Sequence, residues 1–176
     1  MSAAIRRNLP LLSIAILGGG CLIAGALHWH RQALSEALAA AVFTVTLPLG
    51  AALFAAIGVA VGARWWHPLH EVFEDAARPI AIPALAVAAV LLVGAGEIYP
   101  WMDPEIAATH AVHAKHAWLN LPFFQARAVA VLLLWVWMVH RLIGRISRAF
   151  RRPSAEATRA LARSAVVFAI FFGLSI

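Results

Sequence analysis

Charged residues are scarce in this chain. Only 12% of its 176 residues are Asp, Glu, Lys or Arg, while 63% are hydrophobic and the mean hydropathy is +0.84. Soluble domains carry about 25% charged residues, so the composition excludes an ordinary soluble domain and indicates an integral membrane protein. A helical span takes about 20 residues, and a few spans with their connections use the whole length. No room is left for a separate extramembrane catalytic domain.

Cysteine is nearly absent as well. Cys21, the single cysteine, lies in an apolar run, so the chain alone offers neither a disulfide framework nor a thiolate metal site. Motifs of common soluble enzymes are also missing: there is no glycine-rich phosphate loop with a lysine, no nucleophile elbow and no paired-cysteine motif. The remaining candidates for functional groups are therefore the polar side chains beside the apolar runs.

The apolar runs predict an all-α, polytopic membrane helix bundle that forms one transmembrane domain over residues 1–176. The last run, residues 164–176, is too short to span a bilayer by itself. We therefore expect a partial fifth span and interpret the chain as the N-terminal bundle of a longer protein. The predicted spans are about 9–30, 36–63, 79–98 and 121–143, followed by the partial span over 160–176.

The connection between the second and third spans, residues 64–78, has an amphipathic pattern from Pro68 onward. We expect this connection to lie in the membrane interface, with Trp65 and Trp66 in an aromatic belt. Its apolar side comprises Leu69, Val72, Phe73 and Ala76, and its polar side comprises Glu71, Glu74 and Asp75.

Positive charges are distributed unequally between the two sides of the predicted bundle. Eleven of the fourteen Lys and Arg residues fall on the side of the N-terminus, and seven of these lie between Arg141 and Arg163. Cytoplasmic loops carry an excess of Lys and Arg, so we expect a cytoplasmic N-terminus and place residues 97–127 on the opposite side. Because the arginines flank apolar runs, the net charge of +6 indicates membrane topology and no nucleic-acid partner.

Residues 97–127 hold the densest group of polar side chains. Glu97 directly follows an apolar run and falls at the edge of the hydrocarbon, where a charge is costly unless it is paired or hydrated. A carboxyl group in that position could relay protons, and Thr44 and Thr46 of the second span could add hydroxyl groups to the path. The alternatives are a solvated cap for Glu97 and threonine hydroxyls bonded to their own helix.

Histidines in the same stretch invite a metal-site interpretation. His110 and His113 would share one face of a helix, with Asp103 or Glu105 as a carboxylate ligand. The segment is expected to be exposed and Lys115 would repel a cation, so we expect no metal site and keep His110 and His113 as weak candidates.

Three charged side chains of this stretch are candidates for contacts with a partner subunit. Lys115 and Arg127 could bind acidic groups of the partner, and Asp103 could bind a basic one. The alternative for the two basic side chains is ordinary snorkelling, in which the apolar stem lies along the membrane edge and the charge reaches water.

Four motifs in this chain resemble the N-terminal part of the ActF membrane subunit of alternative complex III, a bacterial quinol:cytochrome c oxidoreductase. This subunit is related to membrane subunits of the NrfD and polysulfide-reductase type. The motifs have the same order and spacing from about the second span to the fourth. They are residues 47–66 (LPLGAALFAAIGVAVGARWW), 71–80 (EVFEDAARPI), 97–101 (EIYPW) and the pattern K-x3-LN-x2-FF-x2-R over residues 115–127.

The resemblance implies a function as well as an architecture. Such subunits have about ten helices and lie beside a homologous quinol-binding subunit, while partner subunits carry the iron-sulfur clusters and c-type haems. The chain would then bind no cofactor itself and would be a non-catalytic part of an oxidoreductase complex in the bacterial inner membrane. Its partners would be the other subunits of the complex, the lipid bilayer and nearby quinone, and proton half-channels are proposed to run through such membrane subunits.

Two other functions remain as alternatives. A homo-oligomeric small transporter or channel would be favoured by charge in the middle of the spans, but these spans contain almost none. A haem-bearing membrane anchor would need histidines well inside facing helices, and only His140, near the end of the fourth span, comes close.

Overall fold

A computed structural model of the chain describes Gly18, Gly20, Gly25 and residues 30–175. The predicted first span, about 9–30, therefore lies outside the described residues except for His30 and the three glycines. Cys21 and the arginines near the N-terminus also lie outside them.

Every regular element from residue 30 to residue 175 is a helix. Four helical segments are long and apolar enough to cross a membrane, namely His30–Ala60, His67–Ile98, Leu121–Arg151 and Ala155–Ser175. This result confirms the predicted all-α, multi-pass membrane architecture. We name the main helices α1 (His30–Ala60), α2 (His70–Ala77), α3 (Ala81–Ile98), α4 (Leu121–Arg151) and α5 (Ala155–Ser175).

Short helical turns connect the main helices. Two of them begin with proline and two have proline as their second residue, and the fixed backbone angle and missing N–H of proline suit the first turn of a helix. The 3-10 turns are His67–Leu69, Arg78–Ile80 and Pro100–Met102, and the single-turn helices are Pro104–Ala107, His110–His113 and His116–Leu119. Because the first two 3-10 turns flank α2, the predicted interfacial connection and third span form one nearly continuous helical segment.

The helices extend beyond the predicted spans. α1 begins at His30, ahead of the predicted residue 36, α4 continues to Arg151, past the predicted residue 143, and α5 begins at Ala155. Glutamate, glutamine and arginine are good helix formers, so charge ends the apolar run without ending the helix. At 1.5 Å per residue, the 31 residues of α4 give a length of about 46 Å. The hydrocarbon core is only about 30 Å thick, so part of α4 must protrude.

The four long segments pack around one core. α1 contacts α3 and α5, α4 also contacts both α3 and α5, and α1 meets α4 across the middle. Successive long helices run in opposite directions, so the bundle has two ends. The Glu97 end contains His30, Glu97 and Leu121, and the Glu74 end contains Ala60, Glu74 and Arg151.

Small residues on α1 allow close helix packing. Ala52 and Ala56 are fully buried and belong to the same core cluster as Leu142 of α4 and Phe168 of α5. Small residues at the contact let helix backbones approach in a membrane, where van der Waals packing replaces the hydrophobic effect as the force between helices. Pro48 is also buried inside α1, and membrane helices tolerate such a residue.

Large apolar side chains cover the outside of the bundle. Phe43 on α1, Val93 on α3 and Leu133 on α4 are each at least 65% exposed. An exposed apolar surface on several sides of one bundle is what lipid chains would cover, and it agrees with the membrane assignment.

The inner face of α2 differs from the predicted amphipathic pattern. Glu74, which was assigned to the polar side, is buried, whereas Val72 of the predicted apolar side is 63% exposed. Trp66, expected in an aromatic belt beside Trp65, is likewise buried in the core. The segment continues into α3, so packing against α1 and α4 determines which face is buried.

Gly58 permits the close approach of Trp66. A Cβ atom at residue 58 would lie 2.8 Å from Cγ of Trp66, whereas a Cβ atom at Gly50 would meet nothing within 4 Å. Trp66 then reaches the ring of Phe150 on α4, with 5.5 Å between the ring centroids. The glycine is thus part of the contact that ties the end of α1 to α4.

We expect Gly58→Ala to lower the free energy of unfolding by about 1–3 kcal/mol, because the added methyl group overlaps the buried indole. The matched change Gly50→Ala should raise this free energy by up to about 1 kcal/mol, because alanine favours a helix over glycine. Reversible unfolding in mixed detergent micelles, followed by helical circular dichroism, measures both. Equal effects of the two substitutions would contradict the packing described for Trp66.

Candidate functional site

Glu97 is paired at the end of α3. Its Oε2 lies 3.2 Å from Nε2 of His30, and its side chain is 52% exposed. The Nε group of Arg31 also donates a hydrogen bond to the backbone carbonyl of Glu97. These contacts tie the start of α1 to the end of α3, and they favour a hydrated, paired cap over a carboxylate buried in hydrocarbon.

Thr44 and Thr46 both bond to their own helix. The Thr44 hydroxyl donates to the Ala40 carbonyl at 2.7 Å, and the Thr46 hydroxyl donates to the Phe43 carbonyl at 2.6 Å. Both side chains are exposed on the outside of the bundle, and along α1 Thr44 is about 20 Å from Arg31. The structure does not bring them together with Glu97, so a proton path through all three residues stays a prediction.

Two of the predicted partner-contact residues are exposed at the Glu97 end. Asp103 caps the single-turn helix Pro104–Ala107, because its Oδ1 accepts a hydrogen bond from the Glu105 N–H at 3.0 Å. Lys115 precedes the helix His116–Leu119 and is exposed. A role for either charge in binding a partner stays a prediction.

Arg127 lies among aromatic rings. Its guanidinium carbon is 5.0 Å from the ring centroid of Trp118, 5.7 Å from that of Phe123 and 5.9 Å from that of Phe124. An arginine within about 6 Å of an aromatic face gains about 0.5–1 kcal/mol at an exposed site. The side chain is therefore held in place at the membrane edge, which free snorkelling alone would not do.

Aromatic contacts join the end of α3 to the start of α4. The ring centroids of Tyr99 and Phe124 are 5.0 Å apart, and those of Trp101 and Phe124 are 5.5 Å apart. Burial raises the pKa of the Tyr99 phenol above its ordinary value. We call Tyr99, Trp101, Trp118, Phe123, Phe124 and Arg127 the aromatic cluster.

The histidines do not form a multidentate site within the described residues. His110 and His113 are exposed at the two ends of a single-turn helix. No group of three histidine, cysteine, aspartate or glutamate side chains converges between residues 30 and 175. His140 is also exposed, with Nδ1 2.8 Å from the Val136 carbonyl oxygen of its own helix.

A buried carboxylate at the Glu74 end was not among the predicted site residues. The Glu74 side chain is only 7% exposed, and its Oε2 lies 3.3 Å from an Nη atom of Arg78. The same oxygen accepts a hydrogen bond from the Ser147 hydroxyl of α4. The Ser147 hydroxyl thus links Glu74 of α2 to α4, while Arg78 belongs to the same helical segment as Glu74. Together the hydroxyl donor and the cation offset part of the cost of burying a charge.

An open cleft of about 470 Å³ lies beside Glu74. One wall is the ring of His70 stacked on Phe150, with 3.8 Å between centroids and 5° between planes. The charged and polar lining residues are Glu71, Glu74, Asp75, Arg78, Ser147 and Arg151. The cleft combines hydrogen-bond acceptors and donors, so its chemistry suits ordered water at the end of the bundle.

The spacing of the buried residues along this helical segment could have predicted that Glu74 is buried. Ala77, Ile80, Ala84, Val87 and Leu91 are all buried and are spaced three or four residues apart. Extending this period back by three residues from Ala77 places Glu74 on the same face. Pro79 made this pattern hard to recognise. Because a proline suggests a helix start, the connection over residues 64–78 and the span over residues 79–98 were treated as separate elements, although they form one nearly continuous helical segment.

Other polar contacts cross between helices nearer the middle of the bundle. The Gln125 amide donates to the Leu91 carbonyl at 3.0 Å and joins α4 to α3. The Trp135 indole N–H donates to the Ser175 hydroxyl at 2.9 Å and joins α4 to α5. Polar side chains in hydrocarbon gain from such partners, and a single sequence does not show which helix supplies them.

No known protein family matches the chain by sequence, and a comparison with curated proteins finds no similar sequence.

We expect Ser147→Ala to lower the free energy of unfolding by about 1–3 kcal/mol, because buried Glu74 loses a hydrogen-bond donor. Ser35→Ala provides the control, since the exposed Ser35 hydroxyl donates a hydrogen bond to the Arg31 carbonyl of its own helix. Its effect should stay within about 0.5 kcal/mol. Unfolding in mixed micelles compares the two variants, and a Ser147→Ala effect as small as that of the control would contradict a stabilising Glu74–Ser147 contact.

Proposed function

We propose that this chain is an integral membrane subunit of a respiratory quinol:cytochrome c oxidoreductase of the alternative complex III type. In this proposal the chain binds no cofactor and supports partner subunits that hold the iron-sulfur clusters and c-type haems. It lies in a bacterial inner membrane with its N-terminus and its Glu74 end toward the cytoplasm.

The observation that carries the proposal is that the four resemblance motifs contact one another in two pairs, one toward each end of the bundle. At the Glu97 end, Tyr99 of the motif over 97–101 contacts Phe124 of the motif over 115–127. Toward the Glu74 end, Phe54 of the motif over 47–66 stacks on Phe73 of the motif over 71–80, with 6.4 Å between centroids. Residues that specify contacts between helices are those that a shared architecture would require, which supports the proposed relationship.

The aromatic cluster is the proposed place of contact with a partner subunit. Trp118 is 60% exposed although it lies under the Arg127 guanidinium, so it presents an aromatic face and a charge together. Interfaces are enriched in Trp and Arg. Lys115 and Asp103 lie in the same connection and would add charged contacts at the rim.

Purification in mild detergent from the native membrane tests the assignment. We expect subunits with c-type haem and iron-sulfur clusters to copurify with this chain, because its function depends on partners. Mass spectrometry identifies the subunits, and a visible spectrum detects their haem. A colourless homo-oligomer would refute the assignment in favour of a transporter or channel, whereas a Soret band from the chain alone would favour a haem-bearing anchor.

Glu97→Gln tests the proposed proton path in the assembled complex. If Glu97 relays the protons released from quinol, removing its titratable group should slow quinol oxidation by roughly 100-fold, the lower range for a lost acid–base group. Stopped-flow measurement of quinol oxidation with a pH-sensitive dye follows both electrons and protons.

Glu105→Gln is the matched control for Glu97→Gln. It removes an exposed carboxylate from the same end of the bundle and should leave the rate unchanged. Unchanged rates in both variants would eliminate Glu97 as a relay, while the proposed subunit assignment would still depend on the purification result.

A further inference from the structure

A groove of about 330 Å³ runs between α4 and α5 near the Glu74 end. Its lining is predominantly apolar, with walls formed by Trp137 and Met138 of α4 and Val167 of α5. Trp137 is 55% exposed and Val167 is 57% exposed. The groove therefore opens on the outside of the bundle, where lipid chains would lie. We call it the α4–α5 groove.

Three arginines border the α4–α5 groove. Arg141 and Arg145 come from α4, and Arg163 comes from α5. Arg145 is partly buried and donates hydrogen bonds to the Ala160 carbonyl, at 2.7 Å, and to the Ser164 hydroxyl. Arg141 and Arg163 are exposed, and the guanidinium carbon of Arg141 lies 5.1 Å from the ring centroid of Trp137.

These positive charges lack carboxylate partners in the described part of the chain. Between residues 30 and 175, the carboxylates that form ion pairs are Glu74, Asp75 and Glu97, and none of them pairs with an arginine of the groove. Arg141, Arg148 and Arg163 all lie near enough to Arg145 for their charges to repel it. Helix packing thus brings like charges together, and an anion between them would relieve the repulsion.

The arginines also lie at a depth in the membrane that suits contact with lipid headgroups. If Leu121 marks one edge of the hydrocarbon, about 20 further residues of α4 cross the roughly 30 Å core and reach Arg141. On α5, Arg163 directly precedes the apolar stretch from Ser164 onward. The arginine rim therefore falls at the level of lipid headgroups, while Trp137 and Val167 fall in the region of acyl chains.

We propose that the α4–α5 groove binds one anionic phospholipid. The phosphate lies between Arg141 and Arg163, and one acyl chain follows the apolar wall along Trp137. Basic pockets between transmembrane helices recognise acidic lipid headgroups in this way, and arginine is well suited to phosphate because its guanidinium group can donate two parallel hydrogen bonds. The proposal is independent of the respiratory assignment.

Native mass spectrometry of the full chain released from detergent micelles tests the site. The probes are dioleoylphosphatidylglycerol, which is anionic, and dioleoylphosphatidylcholine, which has the same chains and no net charge. We expect one retained phosphatidylglycerol and weaker retention of phosphatidylcholine. In the double variant Arg141→Gln/Arg163→Gln, phosphatidylglycerol should bind roughly 25-fold more weakly, since each arginine contributes about 1 kcal/mol and 1.4 kcal/mol is tenfold.

The control variant is Arg64→Gln/Arg151→Gln. It removes the same charge from exposed arginines at the same end of the bundle but leaves the groove intact, so lipid binding should be retained. An equal loss in both double variants would overturn the site in favour of general surface charge. Equal binding of both lipids would overturn it as well, and so would a dimer of the chain that forms in place of the lipid complex.

The acyl-chain contact has its own matched pair of variants. Val167→Trp fills the groove, whereas Val166→Trp adds the same bulk at an adjacent exposed residue that does not line it. We expect only Val167→Trp to weaken phosphatidylglycerol binding. If the two variants behave alike, or if glycerol phosphate without acyl chains binds as well as the lipid, the groove takes no acyl chain and the proposal fails.

Discussion

The thickness of the hydrocarbon core is the constraint on which the rest of this structure depends. α1 and α4 each contain 31 residues and are about 46 Å long at 1.5 Å per residue, whereas the core they cross is about 30 Å thick. The excess length has to lie at headgroup level or in water. Charged side chains on the protruding turns therefore remain on regular helices, which fix their positions relative to one another. Ser147, which bonds to Glu74, and Arg145 of the α4–α5 groove both lie on these last turns of α4.

α4 connects these polar positions because it contacts each of the other main helices. Ser147 reaches Glu74 of α2, Gln125 reaches a carbonyl of α3, and Arg145 reaches Ser164 of α5. In water such contacts would compete with solvent, but for Gln125, which lies inside the predicted span 121–143, the competing partner is missing. A few polar side chains can therefore specify which apolar helices pair with one another. The alanines on α1 determine how closely the helices approach.

The sequence was sufficient for the membrane class and for the helical architecture, because low charge and long apolar runs are properties of composition and order alone. It was insufficient to predict whether a given side chain faces lipid, water or another helix. Glu74 and Trp66 were assigned to the membrane interface, yet both are buried, since the helix period continues through Pro79 and packing decides which face turns inward. For Glu97 the sequence was insufficient in a different respect, because it did not identify the partner of the carboxylate. Its position at the end of the third predicted span could be read from the sequence, but its pairing with His30 depends on where α1 begins.

The contrast between Glu97 and Glu74 bears on how a membrane subunit of this kind would use its charges. Glu97 is half exposed and ends a helix beside the aromatic cluster, where it can exchange with water and with a partner surface. Glu74 is enclosed by a hydroxyl and a guanidinium group, and removing either would leave a buried charge with fewer partners. The first arrangement suits a group that changes its protonation or its partner, and the second suits a group that holds two helices together. The proposed proton path therefore remains assigned to Glu97, although Glu74 is the more deeply buried carboxylate.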